Sequence, residues 1–226
     1  MERIRDRFKR ILYTKGLIML YHIEENFLDN EIFEKIKKRA PIYRPYARME
    51  DESVEADVEI DEENGLYEKG CIKNKVWRAN YKTYKDKVDV SDTMIEYFGE
   101  EFRVPLNKAK QVFIDKGLPN ITLRNMWLQF ADRQTQIYRH RDGKIFNAPM
   151  HKSFTALLWC HEYWNTDWGG ELKVVSEGKT ITFNPKPNTF VAWTRDSLHW
   201  VTPINEKYDE KTHPIRTVLG FSLYEY

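Results

Sequence analysis

The half of the chain that begins at Ile121 constrains the fold more than any other part of the sequence. It holds eight short runs rich in β-branched and aromatic residues, and Gly, Asn, Asp or Pro separates them. The runs are ITLRNMWLQF, QIYRH, SFTALLWC, ELKVV, TITF, TFVAW, HWVTPI and RTVLGFSLY. Many short strands joined by turn residues are typical of a β-sandwich or barrel. We therefore predict an eight-stranded C-terminal barrel over residues 121–226.

Residues 1–120 are predicted to be richer in helix, and we expect them to support the barrel as part of the same domain. No Gly/Ser-rich or Pro-rich linker marks a hinge between the two parts. An apolar run of strand length covers residues 16–23, and helices are predicted over residues 31–39, 92–102 and 105–116. Pro41 and Pro45 are expected to end the first helix. The N-caps are Asp29 or Asn30 for the first helix and Ser91 or Asp92 for the second, while Gly117 closes the third.

Two oppositely charged stretches lie between the first and second predicted helices. Residues 50–63 are acidic, and the alternation of Val54, Ala56, Val58 and Ile60 with charged or polar residues fits either a half-exposed strand or a mobile loop. Residues 69–87 are basic and carry Trp77, Tyr81 and Tyr84. This basic stretch fits a substrate lid or a nucleic-acid patch, but the default is a solvated surface that pairs with its acidic neighbour.

A candidate metal site lies within the β region. Side chains alternate along a strand, so His140 and Asp142 share one face, and antiparallel packing can bring His199 beside them. Two imidazoles and one carboxylate, with open positions, are the ligand set of non-haem Fe(II) oxygenases. A His-x-Asp motif alone is weak evidence, because Asp before Gly is common in turns. Zinc also accepts two histidines and a carboxylate.

Arg216, at the start of the last predicted strand, is a second candidate functional residue. An inward-facing Arg is costly to bury unless it meets a carboxylate. A guanidinium can clamp a carboxylate through two parallel hydrogen bonds, which suits a dicarboxylate co-substrate.

The C-terminal half resembles the Fe(II)/2-oxoglutarate-dependent dioxygenases, and most of all their prolyl 4-hydroxylase-like branch. IYRHRDG resembles their first iron-ligand strand, and IRTVLGFSLY resembles their closing strand, which begins with an Arg. Between them, DWGGELKVV and TFVAWTRDSLHWVTPI resemble the Gly-Gly turn and the strands that lead to the distal His. The resemblance implies a mostly β fold, a double-stranded β-helix (jelly roll) with N-terminal helices packed on one sheet. It also implies that His140, Asp142 and His199 hold Fe(II) and that Arg216 binds the far carboxylate of 2-oxoglutarate.

The chain departs from the family pattern at several positions. The insert NEKYDEKTHP separates His199 from Arg216, which leaves Lys211 open as a substitute for the Arg. Relatives place a Tyr that contacts the co-substrate near position 130, where this chain has Phe130, which cannot donate a hydrogen bond. Tyr138 or Thr155 is then the candidate to replace it, while Trp159 stands where relatives carry a second Tyr and offers its indole N–H as a donor.

Several other residues invite a functional interpretation. We interpret His22, His151, His161 and His213 as surface or strand-end histidines, because their spacing gives no paired motif. Cys160 ends an apolar strand and is interpreted as a buried thiol. The tryptophans from 159 to 200 are interpreted as packing. Arg139, Arg141 and Arg195 either receive a substrate or face outward.

Composition narrows the class of protein. The formal net charge of +1 argues against a dedicated nucleic-acid binder. No apolar run has the length of about 20 residues that a membrane span needs. The charged start MERIRDRFKR is followed by no signal-peptide core, and two cysteines make no disulfide framework, so we expect a cytoplasmic protein.

The resemblance to the prolyl 4-hydroxylase-like branch implies an oxygenase that hydroxylates a prolyl residue in a peptide or protein and releases succinate and CO2. The resemblance implies Fe(II), 2-oxoglutarate and O2 as cofactor and co-substrates, with ascorbate as an optional addition. A free amino acid or other small molecule stays open as the substrate. So does a cupin-like barrel that binds a metal or ligand without turnover.

Overall fold

The computed structural model describes residues 21–56, 70–80, 89–133, 135, 137–142, 150–209 and 211–226. All eight strands predicted after residue 120 are present, and three further strands precede them. The strands are β1 Tyr21–Glu25, β2 Arg48–Ala56, β3 Gly70–Asn80, β4 Ile121–Ala131, β5 Ile137–His140, β6 Ser153–Trp159, β7 Leu172–Ser176, β8 Lys179–Phe183, β9 Thr189–Thr194, β10 His199–Val201 and β11 Arg216–Glu225.

The strands form two antiparallel sheets. The large sheet has the order β1-β9-β6-β11-β4-β3-β2, and the small sheet has the order β5-β10-β7-β8. Neighbours in both sheets are mostly far apart in sequence, as in a jelly roll. The predicted fold class, mostly β with helices on one sheet, is confirmed.

The N-terminal region contributes to the large sheet itself. β1 pairs with β9 at one edge, and β3 pairs with β4 and carries β2 at the other. The described part of the acidic stretch is therefore a strand, paired with a strand from the basic stretch. Residues 57–69 and 81–88, which include Val58, Ile60, Tyr81 and Tyr84, lie outside the described residues. A boundary at residue 120 stays a prediction.

The described residues form three α-helices, some of whose ends differ from those predicted. They are α1 Asn30–Arg39, α2 Ser91–Phe98 and α3 Arg103–Ile114. α1 ends at Arg39, before Pro41, as predicted, and the chain continues as a 3-10 helix over Ala40–Tyr46 that contains both prolines. α2 ends four residues early, because Gly99 has a φ of 109°, and a 3-10 turn then leads into α3. α3 begins before Pro105, which the first turn of a helix tolerates.

The large sheet is buried on both faces. In β6, Phe154, Ala156 and Leu158 face a core shared with α1, α2 and α3, while Leu157 and Trp159 face the small sheet. Strands β4, β9 and β11 alternate in the same way. Residues on the second face therefore line the space between the sheets. No helix in the described ranges is long and apolar enough to cross a membrane.

Gly220 in β11 makes room for the ring of Trp127. The two residues are partners in the β4–β11 ladder, and a Cβ at Gly220 would lie 2.1 Å from the indole ring. We expect Gly220→Ala to lower the free energy of unfolding by about 1–3 kcal/mol, because the core has no space for the methyl group. Urea denaturation measures this loss, and Trp127→Leu in the same chain should recover part of it. An unchanged midpoint in Gly220→Ala would contradict the packing described here.

Candidate active site

The pairing of β5 with β10 brings the three predicted metal ligands together. His140 and His199 are direct partners in this antiparallel ladder, and their ring centroids lie 4.4 Å apart. One carboxylate oxygen of Asp142, Oδ1, lies 3.7 Å from Nε2 of each imidazole. One ligand atom from each residue falls within 4.8 Å of the others. These distances suit a small ion held between the three side chains.

The orientation of both imidazoles is set by the backbone. Nδ1 of His140 lies 2.6 Å from the carbonyl oxygen of Tyr138, and Nδ1 of His199 lies 3.0 Å from that of Ser197. Each Nδ1 therefore carries the proton and donates it to a carbonyl. This leaves both Nε2 lone pairs pointing towards Asp142, which is the arrangement that orients histidine ligands in metal sites.

The second carboxylate oxygen of Asp142 has partners of its own. The hydroxyl of Thr155 donates to Oδ2, and the guanidinium of Arg195 lies 3.8 Å from the same atom. Arg195 also donates to Ser222 Oγ at 3.0 Å. Oδ1 and Oδ2 thus have separate roles, with Oδ1 facing the histidines and Oδ2 held by the protein.

The charges at the site favour metal binding at neutral pH. Burial alone would raise the pKa of Asp142, but His199, Arg195 and His140 outweigh it and hold that pKa well below its usual range. Burial lowers the pKa of His199 to about 4. An ionised carboxylate and a neutral imidazole are the states in which these groups bind a metal.

A cavity of about 270 Å³ extends from the three ligands to Arg216. Arg216 is fully buried, and none of its guanidinium nitrogens has a hydrogen-bond partner among the described residues. Burial lowers its pKa to about 10, while Glu171 acts in the opposite direction, so the group stays charged at neutral pH. A buried cation without a hydrogen-bond partner is costly in a folded protein unless a ligand completes it. Lys211 is exposed in the insert and does not take this place.

The three residues predicted to contact the co-substrate lie in different places. Thr155 lines the cavity, where its hydroxyl already donates to Asp142. Trp159 is fully buried between the sheets, and its indole N–H has no hydrogen-bond partner in the described structure. Tyr138 does not line the cavity. The register of β5 against β10 shifts between His140 and Ile137, and this irregularity turns Ile137 inward instead.

Phe130 points away from the site. It packs on the helix side of the large sheet, whereas Asn125, Trp127 and Gln129 of the same strand line the cavity. Phe130 therefore does not reach the cavity whereas its neighbour Gln129 does, because consecutive residues of a strand face opposite sides. Asn125, Trp127 and Gln129 supply the polar groups that β4 offers to the cavity. The alternation along β4 separates these residues from Phe130, but the sequence does not show which of the two faces meets the cavity.

The remaining predictions for single residues have mixed outcomes. His161 lies just after the end of β6, as the strand-end alternative predicted, but it is buried and not on the surface, and its Nε2 donates to the carbonyl of Pro185 at 2.8 Å. Cys160 is buried, as predicted, and this burial raises the pKa of its thiol to about 12. Arg141 and Arg195 line the cavity, whereas Arg139 lies over the ring of Trp200 outside it.

Comparison with known proteins agrees with this geometry. Residues 126–214 match the family model of the 2OG-Fe(II) oxygenase superfamily. This range includes His140, Asp142 and His199. The resemblance to the 2OG-Fe(II) oxygenases is confirmed. No curated protein sequence matches the chain.

Solved structures of these oxygenases share the fold. A prolyl hydroxylase from Trichoplax adhaerens, in complex with a hypoxia inducible factor peptide fragment, is 14% identical with a TM-score of 0.59, over 91% of this chain and 83% of its own. A Pseudomonas putida prolyl-4-hydroxylase is 12% identical with a TM-score of 0.52, over 89% and 91%. The α-ketoglutarate-dependent epimerase SnoN from nogalamycin biosynthesis is 10% identical with a TM-score of 0.58, over 91% and 77%. At these identities the solved structures show a shared fold, and the family match over residues 126–214 supports an oxygenase enzyme.

We expect Asp142→Ala to weaken Fe(II) binding by more than about tenfold, because it removes the anionic ligand and leaves two neutral imidazoles. Anaerobic calorimetry with Fe(II) measures the affinity, and circular dichroism checks that the fold persists. Asp196→Ala is the matched control, since Asp196 is near the site but does not line the cavity. Full Fe(II) affinity in Asp142→Ala would refute the three-residue metal site.

Proposed function

We propose that this chain is an Fe(II)- and 2-oxoglutarate-dependent dioxygenase that hydroxylates an unactivated C–H bond. The observation that carries the proposal is the position of Arg216. A fully buried guanidinium without a hydrogen-bond partner among the described residues lines the same cavity as the two histidines and the carboxylate. This combination suits a dicarboxylate that binds the metal at one end and an arginine at the other.

The residues present fit the metal and the co-substrate. His140, Asp142 and His199 would hold Fe(II) through Nε2, Oδ1 and Nε2, since the other atoms of these groups are already hydrogen-bonded. Three protein ligands leave positions open for the co-substrate and dioxygen. When bound, Fe(II) with 2-oxoglutarate and O2 supplies the oxidising chemistry, with release of succinate and CO2.

The protein contributes binding, orientation and charge. Arg216 would bind the far carboxylate of 2-oxoglutarate through two parallel N–H bonds. Gln129 would lie beside it, because Gln129 pairs with Val218, two residues along β11 from Arg216. Thr155 and Arg195 would keep Asp142 ionised and bound through one oxygen only.

A prolyl residue in a peptide or protein is the substrate that we propose. The likeness of the fold to prolyl hydroxylases, one of them solved with a peptide, supports this choice. A small-molecule substrate is the second candidate, supported by the likeness to SnoN.

Two measurements test the proposed activity. Anaerobic addition of Fe(II) and then 2-oxoglutarate should give a weak visible charge-transfer band. Aerobic incubation with proline-containing peptides and with free amino acids should release succinate, and mass spectrometry should find one added oxygen in the true substrate. Absence of both the band and succinate release would refute the proposed function.

We expect Arg216→Ala to raise the KM for 2-oxoglutarate steeply, because losing a buried charge-assisted pair costs about 2–5 kcal/mol. Arg216→Lys should recover part of the loss, since it restores the charge but not the planar fork. Lys211→Ala is the control, because Lys211 is exposed outside the cavity. Succinate release at varied 2-oxoglutarate gives all three values, and a large effect of Lys211→Ala with a small effect of Arg216→Ala would overturn the assignment.

We expect Zn(II), Co(II) and Ni(II) to inhibit the enzyme. These ions bind such a site more tightly than Fe(II), yet they do not supply its redox chemistry. Succinate release at fixed Fe(II) and rising Zn(II) measures the inhibition, and excess Fe(II) should reverse it. Turnover that zinc sustains in iron-free protein would exclude an oxygenase.

A further inference from the structure

We propose that the insert NEKYDEKTHP, residues 205–214, is a positioning element for the co-substrate. Its Tyr208 holds Arg216 in place, so that the site prefers 2-oxoglutarate to a 2-oxo diacid with a longer chain. This inference rests on the proposed function and adds a determinant of its co-substrate specificity. It follows from the packing of the insert, in which Tyr208 is fully buried next to the strand that carries Arg216.

The insert packs against the loop that follows β6. The ring centroid of Tyr208 lies 5.2 Å from that of Trp164 and 5.5 Å from that of Trp168. The ring of His213 stacks on Trp168, with the centroids 4.4 Å apart. At the start of the insert, the backbone N–H of Asn205 donates to the carbonyl oxygen of Trp168 at 2.9 Å. These contacts fix both ends of the insert on the same two tryptophans.

Two contacts connect Tyr208 with the start of β11. Its hydroxyl donates to the carbonyl oxygen of Pro214 at 3.2 Å, and Pro214 lies two residues before Arg216. Its ring belongs to the apolar cluster that contains Ala131, the residue of β4 that pairs with Arg216. Tyr208 therefore supports both the segment that leads into Arg216 and the strand beside it.

The same cluster confines the side chain of Arg216. Gly170 has a φ of 77°, and a Cβ at this position would lie 3.6 Å from Cδ of Arg216 and 3.5 Å from the ring of Trp164. Arg216 and Trp164 thus border the same narrow space over Gly170, and Ile204 lies 3.4 Å from the same point. Because Tyr208 packs against Trp164, the stem of Arg216 has little room to move away from the cavity.

A fixed Arg216 limits the length of the co-substrate. Tyr208, Trp164 and Trp168 do not line the cavity, so their effect on binding acts through Arg216. A dicarboxylate must span the distance from the metal ligands to the guanidinium, and one more methylene no longer fits when the guanidinium cannot retreat. A fitted site discriminates against an extra methylene by about 10- to 200-fold. We expect a preference of this size for 2-oxoglutarate over 2-oxoadipate, which is one methylene longer.

The experiment compares the affinities of the two diacids. The protein, loaded anaerobically with Fe(II), is titrated by calorimetry with 2-oxoglutarate and separately with 2-oxoadipate. We expect Tyr208→Ala to weaken 2-oxoglutarate binding at least about fivefold and to reduce the preference over 2-oxoadipate at least about threefold, because Arg216 is no longer pre-organised. Tyr208→Phe keeps the ring and should keep most of the preference. Tyr163→Ala is the matched control, because Tyr163 is an exposed aromatic residue whose ring centroid lies 5.6 Å from that of Trp168.

The ratio of the two affinities separates positioning from a general loss of stability, because destabilisation alone weakens both diacids alike. An unchanged ratio in Tyr208→Ala would overturn the proposal, and so would an equal change of the ratio in Tyr163→Ala. Circular dichroism and urea denaturation check the fold of each variant. Tyr208→Leu, which keeps more apolar bulk but neither the ring nor the hydroxyl, takes the place of Tyr208→Ala if the latter does not fold, with the same expected change of the ratio.

Failure of this inference is distinguishable from failure of the proposed function. The visible band of the Fe(II)–2-oxoglutarate complex in the wild type reports the proposed function. A normal band, with a length preference that does not depend on Tyr208, overturns the role of the insert alone. No band and no succinate release, with diacid binding whose length preference still depends on Tyr208, removes the oxygenase but leaves the role of the insert.

Discussion

The large sheet is covered on both faces, by the three helices on one side and by the small sheet on the other. Each central strand must therefore send alternate side chains into two different interiors. In β11 the helix side receives Leu219, Phe221 and Leu223, while Arg216, Gly220 and Ser222 face the other side. This constraint decides which residues can reach a ligand, because the cavity lies on one face only.

The polar residues of the cavity depend on this apolar frame. Arg216 can be kept buried without a hydrogen-bond partner among the described residues because the surrounding strands hold the start of β11 in place. An unsatisfied buried guanidinium destabilises the unliganded protein. A carboxylate that binds to it removes this destabilisation, and the gain adds to the free energy of binding. The candidate metal site is built in the same way, since backbone carbonyls fix both imidazoles and the Thr155 hydroxyl fixes the carboxylate of Asp142. The geometry is thus prepared for its ligands.

Much of the fold and of the metal site could be predicted from the sequence, because the signals are local. Runs of β-branched and aromatic residues bounded by turn residues indicate strands wherever they occur, and all eight C-terminal runs are strands. In the motif His140-Arg141-Asp142, the spacing of two residues by itself places His140 and Asp142 on one face of a strand. Arg216 is likewise recognisable from the sequence, because it opens a strand pattern. The ends of the helices were predicted less accurately. The chain passes from α2 to α3 through Gly99 and a 3-10 turn, and no local sequence pattern indicates how this turn packs.

The sequence by itself determined the strand pattern, because strand signals depend on neighbouring residues, and it marked His140, Asp142, His199 and Arg216 as candidate ligands. The tertiary structure alone decided which face of β4 meets the cavity, so that Gln129 and Trp127 line it and Phe130 does not. It also turned Tyr138 out of the cavity through the irregular pairing of β5, and it brought Arg78 in from an N-terminal strand. These outcomes depend on register between strands that are distant in the sequence, and a shift of one residue exchanges the two faces of a strand.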